Sequence, residues 1–292
     1  MSYRDRIDAC NNADLRIFRP FRLAGKTIGY IGKSFADLLK IHSDGIFHIT
    51  DAAIDLDPSL KTSAARTERL DKLMRKLAAL NVILGWREES FGVYDAGDIP
   101  GKSTPLFHLE RAAIPLLGIR AFGVHMTGYV RKQGELHIWV ARRSRNKPTY
   151  PGMWDNTVAG GMPVGYSLAE NLAKECAEEA AIPADLAAKA QAVGMVSYAY
   201  TETTPAGFVT LKPDIQFCFD LELPADFIPH NTDGEIESFH LWPVMAFAEK
   251  IRDTAEFKFN CNLVAIDFLI RHGIITPDNT PDYVSLCRDL RQ

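Results

Sequence analysis

Three glutamates, Glu175, Glu178 and Glu179, stand at positions i, i+3 and i+4. At about 100° per residue this spacing sets all three carboxylates on one side of a helix. Like charges so placed destabilise an isolated helix by ~0.2–0.5 kcal/mol, so such a cluster is easier to understand if a cation binds there. Hard divalent ions such as Mg²⁺ prefer carboxylate oxygens and keep positions for water and phosphate oxygens. A solvated acidic face is the plain alternative for such a helix. Gly160 and Gly161 lie just ahead of it in AGGMPVGYS. Glycine there lets backbone approach a metal or phosphate closely, and Ser167 supplies an N-cap to start the helix.

Other groups suit the ends of a phosphorylated ligand. Arg142, Arg143, Arg145 and Lys147 crowd the end of a predicted strand, and guanidinium forks match paired phosphate oxygens. Trp154, Tyr198 and Tyr200 offer ring faces to a heteroaromatic group, although aromatics in strands are also ordinary core material. Glu235 and Glu237, in HNTDGEIESF, share one strand face. The segment TETTPAGFVTLKP, residues 201–213, is expected as a long loop lying over the site. The eight histidines show no metal-ligand spacing and receive no role.

These side chains need a scaffold. Residues 1–112 read as a small α+β unit: strands in KTIGYIG, GIFHIT and SFGVYDA, a helix over 34–42 capped by Ser34, and a helix over 64–80. In the longer helix Leu70, Leu73, Met74, Leu77 and Leu80 repeat at helical spacing. Residues 113–292 read as a second domain. FGVHMTGYVR and ELHIWVARR form a hairpin across Gln133-Gly134, and further strands fall at 192–200, 214–221 and 235–242. Helices are expected at 167–180, 243–252 and 261–271, the last with Asn260 as N-cap, Leu263, Ile266, Leu269 and Ile270 inward, and Gly273 past its end. The result is a mixed sheet with helices packed on it.

The 292 residues, 47% apolar and 24% charged, suffice for about two folded domains. Lys and Arg number 33 against 37 Asp and Glu, a net charge of −4 that gives no bulk attraction to nucleic acid or anionic membrane. A small molecule is the expected partner. Five cysteines, an odd number without a Cys-x-x-Cys pair, read as reduced thiols. The N-terminus lacks an apolar export core, and no apolar run reaches the ~18 residues of a membrane span. The expected location is the cytoplasm.

Residues 159–183 resemble a Nudix box, the pattern Gly-x5-Glu-x7-Arg-Glu-U-x-Glu-Glu-x-Gly-U. The run Lys174-Glu175-Cys176-Ala177-Glu178-Glu179-Ala180-Ala181-Ile182 follows its core, with Lys for Arg and Ala181 for Gly. Tyr166 stands where a Glu follows the loop glycine Gly165. These departures resemble the Nudix subgroup found alone or fused to thiamine pyrophosphokinase. FRPFRLAGKTIGYI, ARRSRNKPTYPGMWDNTVAGG, DGEIESF and NCNLVAIDFLIRHGIITPDNTPDY extend that resemblance over nearly the whole chain.

The resemblance implies an α+β protein, a Nudix α/β/α sandwich with a mixed sheet preceded by a small accessory domain. It implies a Mg²⁺-dependent hydrolase of a small diphosphate, with Mn²⁺ as a possible substitute. Glu175, Glu178, Glu179 and the Gly160 carbonyl would hold one to three ions. For the subgroup it further implies thiamine diphosphate analogues, such as oxidised forms, as substrates, giving monophosphate plus phosphate. Arg142, Arg143, Lys147, Trp154, Asn156 and Tyr198 are the candidate substrate contacts. Glu178, Glu179 and Glu235 are the candidate catalytic groups, and the base stays open between Glu235, Glu237 and a box glutamate. An ADP-ribose or dinucleotide pyrophosphatase and a catalytically silent diphosphate-binding module are the alternatives. Trp154 to Gly160 also resembles a segment of isopentenyl-diphosphate isomerase, but Ala159 takes the place of the catalytic cysteine and cannot move a proton. Residues 1–112 would shape the pocket, mediate a homodimer or stabilise the second domain.

Overall fold

Helix α1 (Tyr3–Cys10) opens the chain in the computed structural model, which describes residues 1–292. Ser2 and Asp5 start it with a reciprocal capping box. Its apolar residues Ile7 and Cys10 are fully buried, but against the C-terminal helices and not against the strands that follow. Next come β1 (Phe18–Leu23), β2 (Lys26–Gly32), α2 (Lys33–His42), β3 (Phe47–Ile49), β4 (Ile54–Leu56), α3 (Ser63–Ala79), β5 (Ser90–Val93) and β6 (Phe107–Glu110). The first four strands form one sheet in the order β2-β1-β4-β3, and β5 and β6 form a separate antiparallel pair. Leu70, Leu73, Met74 and Leu77 of α3 are buried, as their spacing predicts, while Leu80 falls past the helix end and is exposed. Helix α2 starts one residue earlier than expected. Gly32 occupies its N-cap without a side-chain bond, and Ser34 lies inside the helix.

A 3₁₀ segment (Arg111–Leu117) leads to β7 (Ala121–Lys132), β8 (Glu135–Arg143), β9 (Trp154–Asp155), β10 (Val158–Gly161), α4 (Leu168–Ala180) and α5 (Ala184–Ala187). The chain continues through β11 (Gln191–Thr203), β12 (Val209–Glu222), β13 (Ile236–Pro243), α6 (Val244–Asp253), α7 (Cys261–Arg271) and α8 (Tyr283–Asp289). The main sheet runs β11-β12-β7-β8-β13, with β10 added on β7 and β9 on β8. Only β12 and β7 pair in parallel, so the sheet is mixed. The β7–β8 turn places Gln133 and Gly134 at φ 53° and 85°, the left-handed pair a two-residue hairpin requires.

Alternation along the strands builds three layers. Phe122, Val124, Met126 and Val130 of β7 meet Leu172, Cys176 and Ala180 of α4 on one face. Ile138 and Val140 of β8 point the other way, into a core with α1, α6, α7 and α8. Helix α7 is buried on all sides from Cys261 to Leu269, so its apolar residues do not form a stripe, and Ile270 is only partly covered. Asn260 stands at its N-cap without a side-chain cap bond. All five cysteines are free thiols, four of them buried.

The segment 201–213 is not a long loop. Strand β11 continues to Thr203 and β12 begins at Val209, leaving a short tip at 204–208. β-Branched residues at both sides of the tip carry the ladder on. The tip reaches the first sheet: Phe208 packs edge-on against Phe35, with ring centroids 5.5 Å apart. A Cβ on Gly32 would collide with the Val209 carbonyl, so glycine there permits the two units to meet.

Candidate active site

The loop after β10 and the helix α4 are locked together before any ligand is considered. Ser167 and Glu170 form a capping box at the start of α4. Asn171 donates from Nδ2 to the Gly161 carbonyl at 2.9 Å. A Cβ on Gly160 would run into the carboxyl group of Glu175, so that side chain lies on bare backbone. Glu179, only 6% exposed, accepts from the Ala159 amide at 2.8 Å. Lys174 sits 3.3 Å from Glu175 Oε1 and 2.6 Å from Glu178 Oε2, spanning two carboxylates as a point charge.

Just past the helix, Ala181 adopts φ 52° and ψ 30°. This left-handed position is where the Nudix pattern has glycine, because a Cβ is strained there. Ala181→Gly is therefore expected to raise stability by about 0.5–1 kcal/mol, read as a higher urea midpoint with unchanged slope.

Glu235 is brought to the helix by its own loop. Asn231 Oδ1 accepts from the Asp233 and Gly234 amides at 3.1 and 2.9 Å, tightening the turn. Thr232 ties that turn to the end of α4, its hydroxyl and its amide both donating to the Glu178 carbonyl, at 2.5 and 3.3 Å. The Ser144 amide then donates to the Glu235 carbonyl at 2.9 Å, and the Glu235 carboxylate pairs with Lys147. A bulge in β13 between Ile236 and Ser238 breaks the shared face expected for Glu235 and Glu237. Glu235 lines the cleft described below, whereas Glu237 lies outside it near Arg145.

The carboxylates feel one another. Burial pushes the Glu175 carboxyl up, with Lys174 opposing and Glu178 and Glu235 adding to the rise. Burial pushes Glu179 well above the usual range; the Ala159 amide opposes, and Asp155, Glu175 and Glu235 add. Burial works the same way on Glu235, but Lys147, Arg143 and Arg111 outweigh it and hold that carboxyl below its ordinary value. An all-oxygen donor set short of positive charge fits a hard divalent cation, with Glu175, Glu178, Glu179 and Gly160 placed to hold it.

Behind this cluster lies a buried network. Arg143 donates from Nη1 to Asp155 Oδ2 at 2.7 Å, and from Nε and Nη2 to the carbonyls of Tyr150 and Thr149 at 3.0 and 2.8 Å. Its fork therefore orders the loop carrying Lys147 instead of standing free for phosphate. Cys261 Sγ donates to Asp155 Oδ1 at 2.7 Å, and Lys258 Nζ is 3.8 Å from Asp155 Oδ2. His125 Nδ1 lies 2.8 Å from Asn156 Oδ1. Burial, with Lys258 adding, pushes this histidine down to about 4, so it is neutral at pH 7. His125, Asp155 and Cys261 bring ligand atoms within 4.8 Å of one another. Arg143 and Lys258 already neutralise Asp155, so this trio is not a second cation seat.

The elements enclose a cleft of about 870 Å³. Gly160, Glu175, Glu178, Glu179, Glu235, Arg143, Lys147 and Tyr198 all line it. Arg142 and Trp154 do not: the Arg142 guanidinium sits 4.4 Å above the Trp154 ring, which packs on Trp242 at 4.8 Å. Asn156 lies one layer behind, held by His125. The Tyr198 hydroxyl accepts from Gln216 and Asn260 at 3.2 and 2.9 Å. Tyr150, Tyr200 and Phe259, within 4.8–5.6 Å of one another as rings about Phe259, complete an aromatic wall. Asp214 lines the same wall, its carboxyl pushed up by burial against the pull of Lys212. The β11–β12 tip supplies part of the rim through Thr204, Pro205 and Ala206. Sequence reasoning missed Asp214, Phe259, Lys258 and His125. The legible hint was an acid and an amide, Asp214 and Gln216, alternating inside the apolar run DIQFCFDL.

A three-layer sandwich carrying clustered carboxylates on the helix after a glycine loop defines a Nudix domain, and the NUDIX domain model matches residues 121–261. Residues 2–121 match a domain of unknown function, DUF4743. The chain is 41% identical over 298 residues to Nudix hydrolase 20, chloroplastic, of Arabidopsis thaliana, covering 98% of this chain and 77% of that protein. It is 40% identical over 293 residues to Nudix hydrolase 24, chloroplastic, of the same plant, covering 99% and 77%. The chain belongs to the Nudix hydrolase family and is an enzyme of that family. Among solved structures, the NUDIX domain of Shewanella oneidensis NrtR complexed with ADP ribose is similar to 53% of this chain and 89% of that one, at 14% identity and a TM-score of 0.38. No helix is long and apolar enough to cross a membrane.

Proposed function

We propose that this protein is a Mg²⁺-dependent hydrolase of a small diphosphate, with Mn²⁺ as a substitute, and that a thiamine diphosphate analogue such as an oxidised form is its substrate. The products are a monophosphate and phosphate. One observation carries the hydrolase reading: Glu175, Glu178, Glu179, Glu235 and Gly160 converge on one cleft. Mg²⁺ held there supplies Lewis-acid neutralisation of the diphosphate oxygens. The chain does the rest. Lys147 keeps Glu235 ionised, and Glu235 takes the proton of the attacking water at its carboxylate oxygen. Lys174 steadies Glu178, and the Ala159 amide orients Glu179.

The substrate follows from the sequence resemblance to the thiamine pyrophosphokinase-related subgroup, and the far wall of the cleft supports it. Tyr150, Tyr200 and Phe259 offer ring surfaces, and Asp214 offers an acceptor to a ring nitrogen or amino group. A cleft of about 870 Å³ also has room for ADP-ribose or a dinucleotide, the second reading. Retention of Glu175, Glu178 and Glu179 speaks against a silent binding module. Five free thiols support a reducing compartment such as the cytoplasm, whereas the two plant relatives are chloroplastic by name.

The test is product identification by mass spectrometry across thiamine diphosphate analogues, ADP-ribose and dinucleotides, with Mg²⁺ and with chelator. The expected result is monophosphate plus phosphate from the thiamine diphosphate analogues, abolished by chelation and restored by Mg²⁺. No turnover of any compound overturns the hydrolase reading. A higher kcat/KM on ADP-ribose, with AMP released, overturns the substrate alone.

A further inference from the structure

Seven cationic side chains line the cleft, and most are already committed. Arg143 spends its fork on Asp155 and two carbonyls. Lys147 is paired with Glu235, Lys174 with Glu178 and Glu175, Lys212 with Glu202, and Lys258 with Asp155. The remaining two, Arg87 and Arg111, come from ahead of the Nudix domain, and Arg111, whose one ion-pair partner is Glu89, has a built position.

That position starts at the box loop. The Val164 amide donates to the Ser90 carbonyl at 2.9 Å, and Phe91 bridges to Pro163. Strand β5 is thus laid directly along the loop that follows β10. The Phe91 ring lies against Gly161, where a Cβ would stand 2.8 Å from the ring edge. The guanidinium carbon of Arg111 is 5.6 Å from the centre of that same ring. The Arg111 amide donates to the Glu89 carbonyl at 2.8 Å, and Nη1 donates to Glu89 Oε2 at 2.8 Å. The side chain is 43% exposed and lines the cleft together with Glu175 and Glu235. Its charge also reaches both ends of the cleft. After burial and nearer partners, Arg111 still draws down the carboxyls of Glu235 and of Asp214.

We infer that Arg111 is a substrate-binding residue of this site, its guanidinium grasping the diphosphate between the carboxylate end and the aromatic end of the cleft. The segment that precedes the Nudix domain then has a defined role: it carries one of the phosphate ligands. Only one of the five guanidinium donors is spent on a side chain, Glu89, so a bidentate grip on phosphoryl oxygens remains open. Glu89 holds the arm in place and competes with the ligand for it. The inference rests on the hydrolase reading, since it requires a diphosphate in the cleft.

The test is calorimetric binding of methylenediphosphonate, which cannot be hydrolysed, to the full chain in the presence of Mg²⁺. Arg111→Gln is expected to weaken binding about 10- to 100-fold with an unchanged melting temperature, and Arg111→Lys to recover part of the loss. Glu89→Gln is expected to tighten binding, because it releases the guanidinium. A structural ion pair would behave otherwise, with Glu89→Gln losing as much as Arg111→Gln, and that result overturns the inference. Wild-type affinity in Arg111→Gln overturns it as well, while leaving the hydrolase reading intact. If the wild-type protein binds no methylenediphosphonate with Mg²⁺, the hydrolase reading fails and the role of Arg111 fails with it.

Discussion

Glu178→Gln is expected to lower Mg²⁺-dependent turnover by about 10²- to 10³-fold while the protein melts at the wild-type temperature. The two halves of this result have separate causes. The Glu178 side chain is 48% exposed, and its one ion-pair partner is Lys174, which keeps Glu175 as a second partner at 3.3 Å. Losing an exposed pair of this kind costs ~0–1 kcal/mol, and glutamine fills the same volume. Charge is a different matter at a seat for a divalent cation. A lost carboxylate there removes about 3–4 kcal/mol of transition-state stabilisation, and ~1.4 kcal/mol corresponds to a factor of ten in rate. Initial rates under saturating Mg²⁺, paired with a thermal melt, check both halves. Full turnover in Glu178→Gln would remove this residue from the cation site.

Glu179 should differ in its stability response. It is buried beside Asp155, Glu175 and Glu235, and burial holds its carboxyl well above the usual range. A neutral glutamine relieves that repulsion while keeping an acceptor for the Ala159 amide. Helix α4 thus carries one acid that is nearly free of structural duty and one whose charge works against the fold without its cation.

This helix was legible because everything that makes it is local. Ser167 caps it, the i, i+3, i+4 spacing gathers its carboxylates, and Ala181 marks its end at the place of the box glycine. A mixed sheet with helices packed on it was legible for the same reason, and the two-sided layering came with the Nudix resemblance. What escaped the sequence was set between distant segments. Arg143 has the right side chain to hold phosphate, yet Asp155 and two carbonyls of the loop claim its donors. Trp154 has the ring for stacking, yet Arg142 and Trp242 cover it. A single bulged residue in β13 separates Glu235 from Glu237, and period-two reasoning has no access to a bulge. His125 carried no spacing signal because its neighbours Asn156, Asp155, Lys258 and Cys261 come from two other stretches of chain. The first 110 residues showed no motif because they meet the site through docking, with β5 lying along the loop that follows β10.

The buried ion network gives the second large effect. Asp155→Asn is expected to destabilise the protein by about 3–5 kcal/mol at pH 7, because Arg143 is then left buried, and Lys258 partly buried, without their anion. Burial resists the Asp155 charge, but Lys258 and Arg143, helped by His125 and Cys261, overcome it and hold the carboxyl at about 2 against an ordinary value of 3.8. A carboxyl depressed in the folded state binds protons more readily when unfolded. Its stabilisation is therefore complete above the unfolded value and is lost as pH falls through the folded one. Urea unfolding of wild type and Asp155→Asn at pH 7, 4, 3 and 2.5 should show a gap that is constant down to about pH 4 and then narrows by roughly 2 kcal/mol toward pH 2. A gap that holds constant into acid would mean that Asp155 is not the anion of the network. Turnover should fall with stability in this variant, since Arg143 would lose the partner that fixes its grip on Thr149 and Tyr150 and, through their loop, the position of Lys147 against Glu235. Asp155 also adds to the rise of the Glu179 carboxyl, so its removal lets Glu179 ionise at lower pH.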